Sequence, residues 1–240
     1  MRRKIILSLL MILSIGYNGQ TIVDSYPEGA ESYKGGDKQF YKDFHNVLID
    51  KNVKPCDNKN EYYVIDILVY PDSSIKFIKD NDSLNIQKNK CTYEMTREVF
   101  KYLKGWNPLI VNNQKFVGLA KYTIFPDYLF EKYKEGYDIK DFRKPAEYQD
   151  GGLNGFRKKI ANSFDMAAVN ETGYHQILIS FVVDENGIMG KPYLEKESNS
   201  SSFNEQALMV VERIKGKWKP GMLHHIPVKY KVKLPLVMTF

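Results

Sequence analysis

A pattern that occurs twice constrains this chain most. Gly151-Gly152-Leu153-Asn154-Gly155-Phe156 opens a stretch that closes on Gly216-Lys217-Trp218-Lys219-Pro220. Upstream, Gly35-Gly36-Asp37-Lys38-Gln39-Phe40 opens one that closes on Lys104-Gly105-Trp106-Asn107-Pro108. The Gly-Gly pairs stand 116 residues apart, and the chain's two tryptophans, Trp106 and Trp218, stand 112 apart. A period of that length is a duplicated domain and not a solenoid unit, because each copy is long enough to bury its own core.

Each copy reads as helix, hairpin, helix, strand. In the second, Leu153, Phe156, Ile160 and Phe164 fall on one helical face. Ile177, Ile179, Phe181 and Val183 alternate at period two, which predicts a strand. Asn186-Gly187 then predicts a tight turn, both residues tolerating positive φ. Ile188 to Leu194 returns as the partner strand, frayed by Pro192. Phe203, Ala207, Val210, Val211, Ile214 and Trp218 form a second helical stripe, ended by Pro220. Ile226 to Leu236 is the last strand. Ser198 to Ser202 reads as a polar linker with no function of its own.

The first copy matches in outline. Phe40, Phe44, Val47 and Leu48 form its first stripe; Tyr63, Ile65, Ile67 and Val69 alternate; Met95, Val99, Leu103 and Trp106 form its second stripe. Phe116 to Phe125 is its last strand, with Gly118 and Pro126 reading as a weaker edge. Tyr128 to Phe142 is charged and aromatic, so it reads as a partly helical connector and not a flexible tether. The expected fold class is α+β, helices on a small antiparallel sheet in each copy. The expected divisions are 1–20, 26–127, 128–142 and 143–240.

Residues 1–20 read as a secretory leader: Arg2-Arg3-Lys4, an apolar run from Ile5 to Ile15, then small and polar residues ending near Gly19 or Gln20. The rival is an uncleaved anchor. Eleven apolar residues span only ~16 Å as a helix, about half of a ~30 Å hydrocarbon core. Cleavage is therefore the expectation, and with it secretion across the inner membrane to the periplasm. The formal net charge of +6 includes the three basic residues of the leader. What remains is too small for a phosphate-tracking stripe, so no nucleic-acid partner is expected. Outside the cytosol the cysteine pair, Cys56 and Cys91, reads as a disulfide; two free buried thiols are the alternative.

The ordered set Gly151-Gly152, amphipathic helix, Phe181-Val182-Val183-Asp184-Glu185-Asn186-Gly187, amphipathic helix, Trp218-Lys219-Pro220-Gly221 and Pro227-Val228 resembles the TonB C-terminal domain family. The likeness is to the version common in secreted proteins of the Bacteroidetes type. Residues 145–238 carry it closely. Residues 29–126 carry it more weakly, keeping Gly35-Gly36 and Gly105-Trp106-Asn107-Pro108 but losing the Asn-Gly turn. The resemblance implies a domain that binds a short extended peptide by adding it to a sheet edge. The partner implied is an outer-membrane receptor peptide or another envelope protein. The implied edge is Val228, Lys229, Tyr230, Lys231, Val232, Lys233 and Leu234. The chain departs from a motor-coupled transducer in lacking a full membrane helix and a Pro-rich spacer. It also has Ser163-Phe164-Asp165-Met166 where the family has Tyr-Pro.

Lys229, Lys231 and Lys233 alternate, so they share one face. They either discourage edge-to-edge aggregation or select an acidic peptide. Trp106 and Trp218 are either peptide anchors or lids over the core; their placement after a stripe favours packing, with Gly152, Asn186 and Gly187 as further structural positions. His224-His225, His45 and His175 lack zinc-site spacing. No nucleophile elbow, P-loop or dinucleotide fingerprint occurs. No catalytic residue, metal or cofactor is expected. The competing classes are a membrane-anchored TonB-type transducer component, a structural envelope protein and an enzyme.

Overall fold

The computed structural model describes residues 22–23, 26–27, 29–214 and 216–239. The expected leader, residues 1–20, lies outside them. The chain divides into two compact units, one ending at Gly136 and one spanning Tyr137–Phe240. Both combine helices with small, mainly antiparallel sheets, which is an α+β fold.

The first unit runs β1 (Ile22–Val23), α1 (Gly36–Asp50), β2 (Tyr63–Val69), β3 (Ile75–Phe77), α2 (Ser83–Lys88), α3 (Lys90–Phe100), β4 (Leu109–Val111) and β5 (Gln114–Ile124). Its sheet order is β1-β5-β2-β3, with β4 folded back on β5 as a hairpin. Asn112 and Asn113 both take positive φ in that hairpin turn, which short polar side chains tolerate. The hairpin was not legible as a separate element in the sequence. Phe40, Phe44 and Leu48 of α1 are fully buried with Ile67 and Val69 of β2 and Val99 of α3. Each such side chain stabilises by about 1.5–3 kcal/mol on leaving water. Cys56 and Cys91 form a disulfide that ties the loop after α1 to the start of α3.

The second unit runs β6 (Arg143–Lys144), β7 (Glu147–Tyr148), α4 (Gly152–Ser163), β8 (Tyr174–Val183), β9 (Tyr193–Lys196), α5 (Ser201–Ile214), β10 (Trp218–Lys219), β11 (Gly221–Leu223), β12 (Ile226–Val228) and β13 (Tyr230–Thr239). Its main sheet is β13-β8-β9; β10 pairs β7, and β11 lies between β12 and β6. Phe156 and Ile160 of α4 and Phe203, Ala207 and Val211 of α5 share one core with Ile177, Ile179, Phe181 and Val183 of β8.

Three local expectations are corrected. First, the turn after β8 places only Gly187 at positive φ, at 79°; Asn186 is not left-handed. Asp184 closes the loop instead. Its carboxylate accepts from the amides of Asn186 at 2.9 Å and Ile188 at 2.8 Å, and its own amide donates to Ile188 O at 2.9 Å. The return strand is reduced to a bridge at Met189, then resumes at Tyr193 beyond Pro192.

Second, the helical stripes stop short of both tryptophans. α3 ends at Phe100 and α5 at Ile214. Trp218 belongs to β10, opposite Tyr148, and Trp106 bridges Tyr33. The helical spacing of Trp106 and Trp218 is therefore incidental: glycine turns and cross-strand pairing place them. Third, the last strand of the second unit is broken. Residues 226–228 pair with β11, Lys229 falls in the gap, and the long edge strand begins at Tyr230.

Candidate functional site

β13 pairs with β8 from Tyr230 opposite Val183 to Thr239 opposite Tyr174. Among the described residues nothing pairs with its other side. In an antiparallel strand alternate residues turn both backbone groups away from the partner, so this side offers N–H donors and C=O acceptors to an added chain.

A groove of about 790 Å³ runs along that open side. One wall is Tyr230, Lys231, Val232 and Lys233 of β13; the other is residues 144–147, with Leu153 of α4 contributing to the lining. The far wall is held by main-chain pairing: Arg143 and Lys144 face Leu223 and Met222 of β11, while Glu147 and Tyr148 face Lys219 and Trp218 of β10. Pro145 lies between these two pairings, where its missing amide forfeits no ladder bond. The groove thus combines apolar lining from Pro145, Ala146, Leu153 and Val232 with charges at Lys144, Glu147, Lys231 and Lys233.

Val232 and Leu234 are buried and Lys231 and Lys233 exposed, the alternation expected from the sequence. The lysines lie on one face and meet a single carboxylate. Lys233 Nζ is 2.8 Å and Lys231 Nζ 3.2 Å from Glu195 of β9, and the buried Ser180 hydroxyl donates to the same carboxylate at 2.5 Å. The bonds from Lys233, Ser180 and Lys231 hold the Glu195 carboxyl down at about 2. Lys231 also sits 5.5 Å from the Tyr193 ring centroid. Glu195 was not singled out in the sequence; its role depends on an irregularity in the β8–β9 register that no spacing rule reveals. Val228 lies in β12 opposite Gly221, and Lys229 is exposed between strands, so both stand outside the open edge.

Trp106 and Trp218 are buried, each in a clasp with a tyrosine that the sequence reading overlooked. Tyr33 meets Trp106 at 5.1 Å between ring centroids and Tyr148 meets Trp218 at 5.4 Å, both away from parallel stacking. A glycine makes room for each tyrosine. A Cβ on Gly105 would stand 2.5 Å from the Tyr33 ring, and one on Gly216 would stand 2.2 Å from that of Tyr148. Gly35 and Gly151 start the following helices in the left-handed region, at φ 83° and 87°. The readable signal was Tyr33 two residues before Gly35 and Tyr148 three before Gly151.

Gly187 is confined by both conformation and space, since a Cβ would stand 2.2 Å from Trp218 O. Gly152, at φ 62°, has open space around it. Ser200 is more than linker: its hydroxyl accepts from the Phe203 amide at 3.1 Å in the first turn of α5 and donates to Glu171 at 2.7 Å. Cys56, Glu61 and Cys91 come within 4.8 Å of one another, but the two sulfurs are bonded to each other and Glu61 accepts from the Thr92 amide. That cluster therefore offers no pair of thiolates to a metal.

No family model matches the chain, and no curated protein matches it. Among solved structures, the NMR solution structure of the Helicobacter pylori TonB C-terminal domain (residues 179–285) is similar at 19% identity. The match covers 39% of this chain and 88% of that one, with a TM-score of 0.24. That likeness is weak, and neither the fold nor the function is drawn from it. Among the described residues no helix is long and apolar enough to cross a membrane.

Proposed function

We propose that this chain is a non-enzymatic, extracytoplasmic protein-interaction module whose second unit takes up an extended peptide as an added strand on β13. The observation that carries this reading is the groove along the unpaired side of Tyr230–Lys233. Main-chain hydrogen bonds to β13 supply affinity without regard to sequence, and alternate side chains of the guest enter the apolar lining at Ala146, Leu153 and Val232. The TonB-type pattern in the sequence favours an envelope protein or an outer-membrane receptor peptide as the partner. The disulfide favours an oxidising compartment. Because Lys231 and Lys233 share Glu195, their charge is partly answered within the domain. Shape and backbone pairing therefore weigh more in selection than a bare row of cations would.

The test is selection of a random-sequence peptide display library on the disulfide-intact chain, repeated with Ala146→Trp. The indole fills the groove from its far wall without altering β13. Peptides selected on the native protein are expected to bind the variant at least about tenfold more weakly, a loss of ~1.4 kcal/mol or more. Equal binding to both proteins would place the contact elsewhere.

A further inference from the structure

β5 holds in the first unit the place that β13 holds in the second. Each follows its unit's tryptophan and pairs antiparallel with the long strand after the first major helix. Among the described residues the outer side of β13 is open, whereas that of β5 carries a strand. Ile22 and Val23 lie there in parallel register with Val117 and Gly118, while Val69 of β2 faces Gly118 from the other side. Three residues beyond Val23, the Tyr26 hydroxyl donates to the carbonyl of Asn107 at 2.7 Å. The Tyr26 ring lies where Gly118 has no side chain: a Cβ there would stand 2.6 Å from it. Gly118, which reads in the sequence as a weak point of an edge, is the seat of an aromatic ring.

We infer that the outer edge of β5 is a second strand-accepting site, specific for an extended segment with a tyrosine three residues after its last paired position, and that the chain's own Ile22, Val23 and Tyr26 occupy it as a tethered ligand. The pairing spans only two residues on each strand, so specificity falls to the tyrosine, which uses both ring and hydroxyl. Burial raises the Tyr26 phenol to about 12, in keeping with a ring held against the protein. Tethering gives the chain's own segment a high effective concentration, so it excludes a free peptide of equal chemistry until it is released. The first unit is then a self-filled counterpart of the second. This inference stands apart from the groove on β13 and survives its failure.

The test uses the full disulfide-intact chain and a labelled synthetic peptide with the sequence of residues 21–27. Binding is followed by fluorescence anisotropy and located by hydrogen exchange. Alternate backbone groups of β5 face outward, those of Val117 and Leu119, while Gly118 faces Val69. Tyr26→Ala is therefore expected to speed exchange at Val117 and Leu119 and to bind the peptide at least tenfold more tightly than the unsubstituted chain does. Peptide binding is expected to restore protection at those two residues. Adding Gly118→Val to Tyr26→Ala is expected to abolish binding, since the new side chain fills the ring's seat. Unchanged protection at β2 shows that each variant is folded. Tyr26→Phe, which removes only the hydroxyl, is expected to change exchange in the same direction by less, and carries the test should Tyr26→Ala unfold. The inference is overturned if release of Tyr26 leaves exchange at Val117 and Leu119 unchanged. It is equally overturned if the peptide binds both chains alike, or if protection develops at 230–234 instead.

Discussion

Glycines with different surroundings separate two effects that a sequence shows as one. Gly216 sits at φ 74° with the Tyr148 ring where a Cβ would be; Gly152 sits at φ 62° with nothing near. Gly152→Ala should therefore cost only the left-handed backbone penalty of about 1–2 kcal/mol. Gly216→Ala adds a clash that must move the clasp, and the summed loss should exceed that of Gly152→Ala in urea titrations of the two variants. Equal losses would mean that the Tyr148–Trp218 clasp yields without cost. Glu195 gives a pH prediction. Its folded-state pKa lies near 2, below the ordinary glutamate value of about 4.3. A depressed carboxyl contributes stability that is complete above the unfolded-state value and is lost as pH falls through the folded one. Glu195→Gln should thus be less stable than the native chain at neutral pH. The gap should close between about pH 4.5 and pH 2, and added salt should narrow it because the lysine contacts are exposed. Thermal melts across that range check both points.

At the scale of elements, the disulfide is the largest single contribution with a simple expectation. Its cysteines are 35 residues apart, and opening a loop of that length removes ~4 kcal/mol in the chain-entropy model. Cys56→Ser with Cys91→Ser should lower the stability of the first unit by that order, read by guanidinium unfolding, and leave the hairpin and groove of the second unit intact. Period-two alternation correctly marked β2, β8 and β13, because one buried face writes itself directly into a strand. The apolar faces of α1 and α4 were legible for the same reason at period 3.6. The tryptophans misled because a residue three or four places beyond a stripe has helical spacing whether or not the helix continues. Gly105 and Gly216 were in view, but the tyrosines that fill the space beside them come from Tyr33 and Tyr148, far away in sequence. The break at Lys229 was missed because it arises from the β11–β12 hairpin, in which Leu223 faces Ile226 and His224 takes φ 52°.

At the scale of the molecule, two units built on one plan differ where it matters for binding. Each places a strand after its tryptophan beside the long strand that follows its first major helix. In one unit the outer side of that strand carries residues 22–23; in the other it borders a groove. The Gly-Gly and Trp pairs read in the sequence fall one in each compact unit. The inequality was only half legible, since pairing of Ile22 with Val117 spans nearly a hundred residues and leaves no local pattern. The expected docking stretch, Val228 to Leu234, covers the groove-lining start of the open edge but begins two residues before Tyr230 and stops short of the strand's end at Thr239. The wall at residues 144–147 could not be read, because only pairing with β10 and β11 brings it there. The central claim is strand addition to β13, and residue-resolved amide exchange of the native chain with a display-selected peptide tests it most directly. The account predicts slowed exchange at alternating residues between Tyr230 and Leu236, with β8 unchanged; tight binding without new protection on β13 would contradict it.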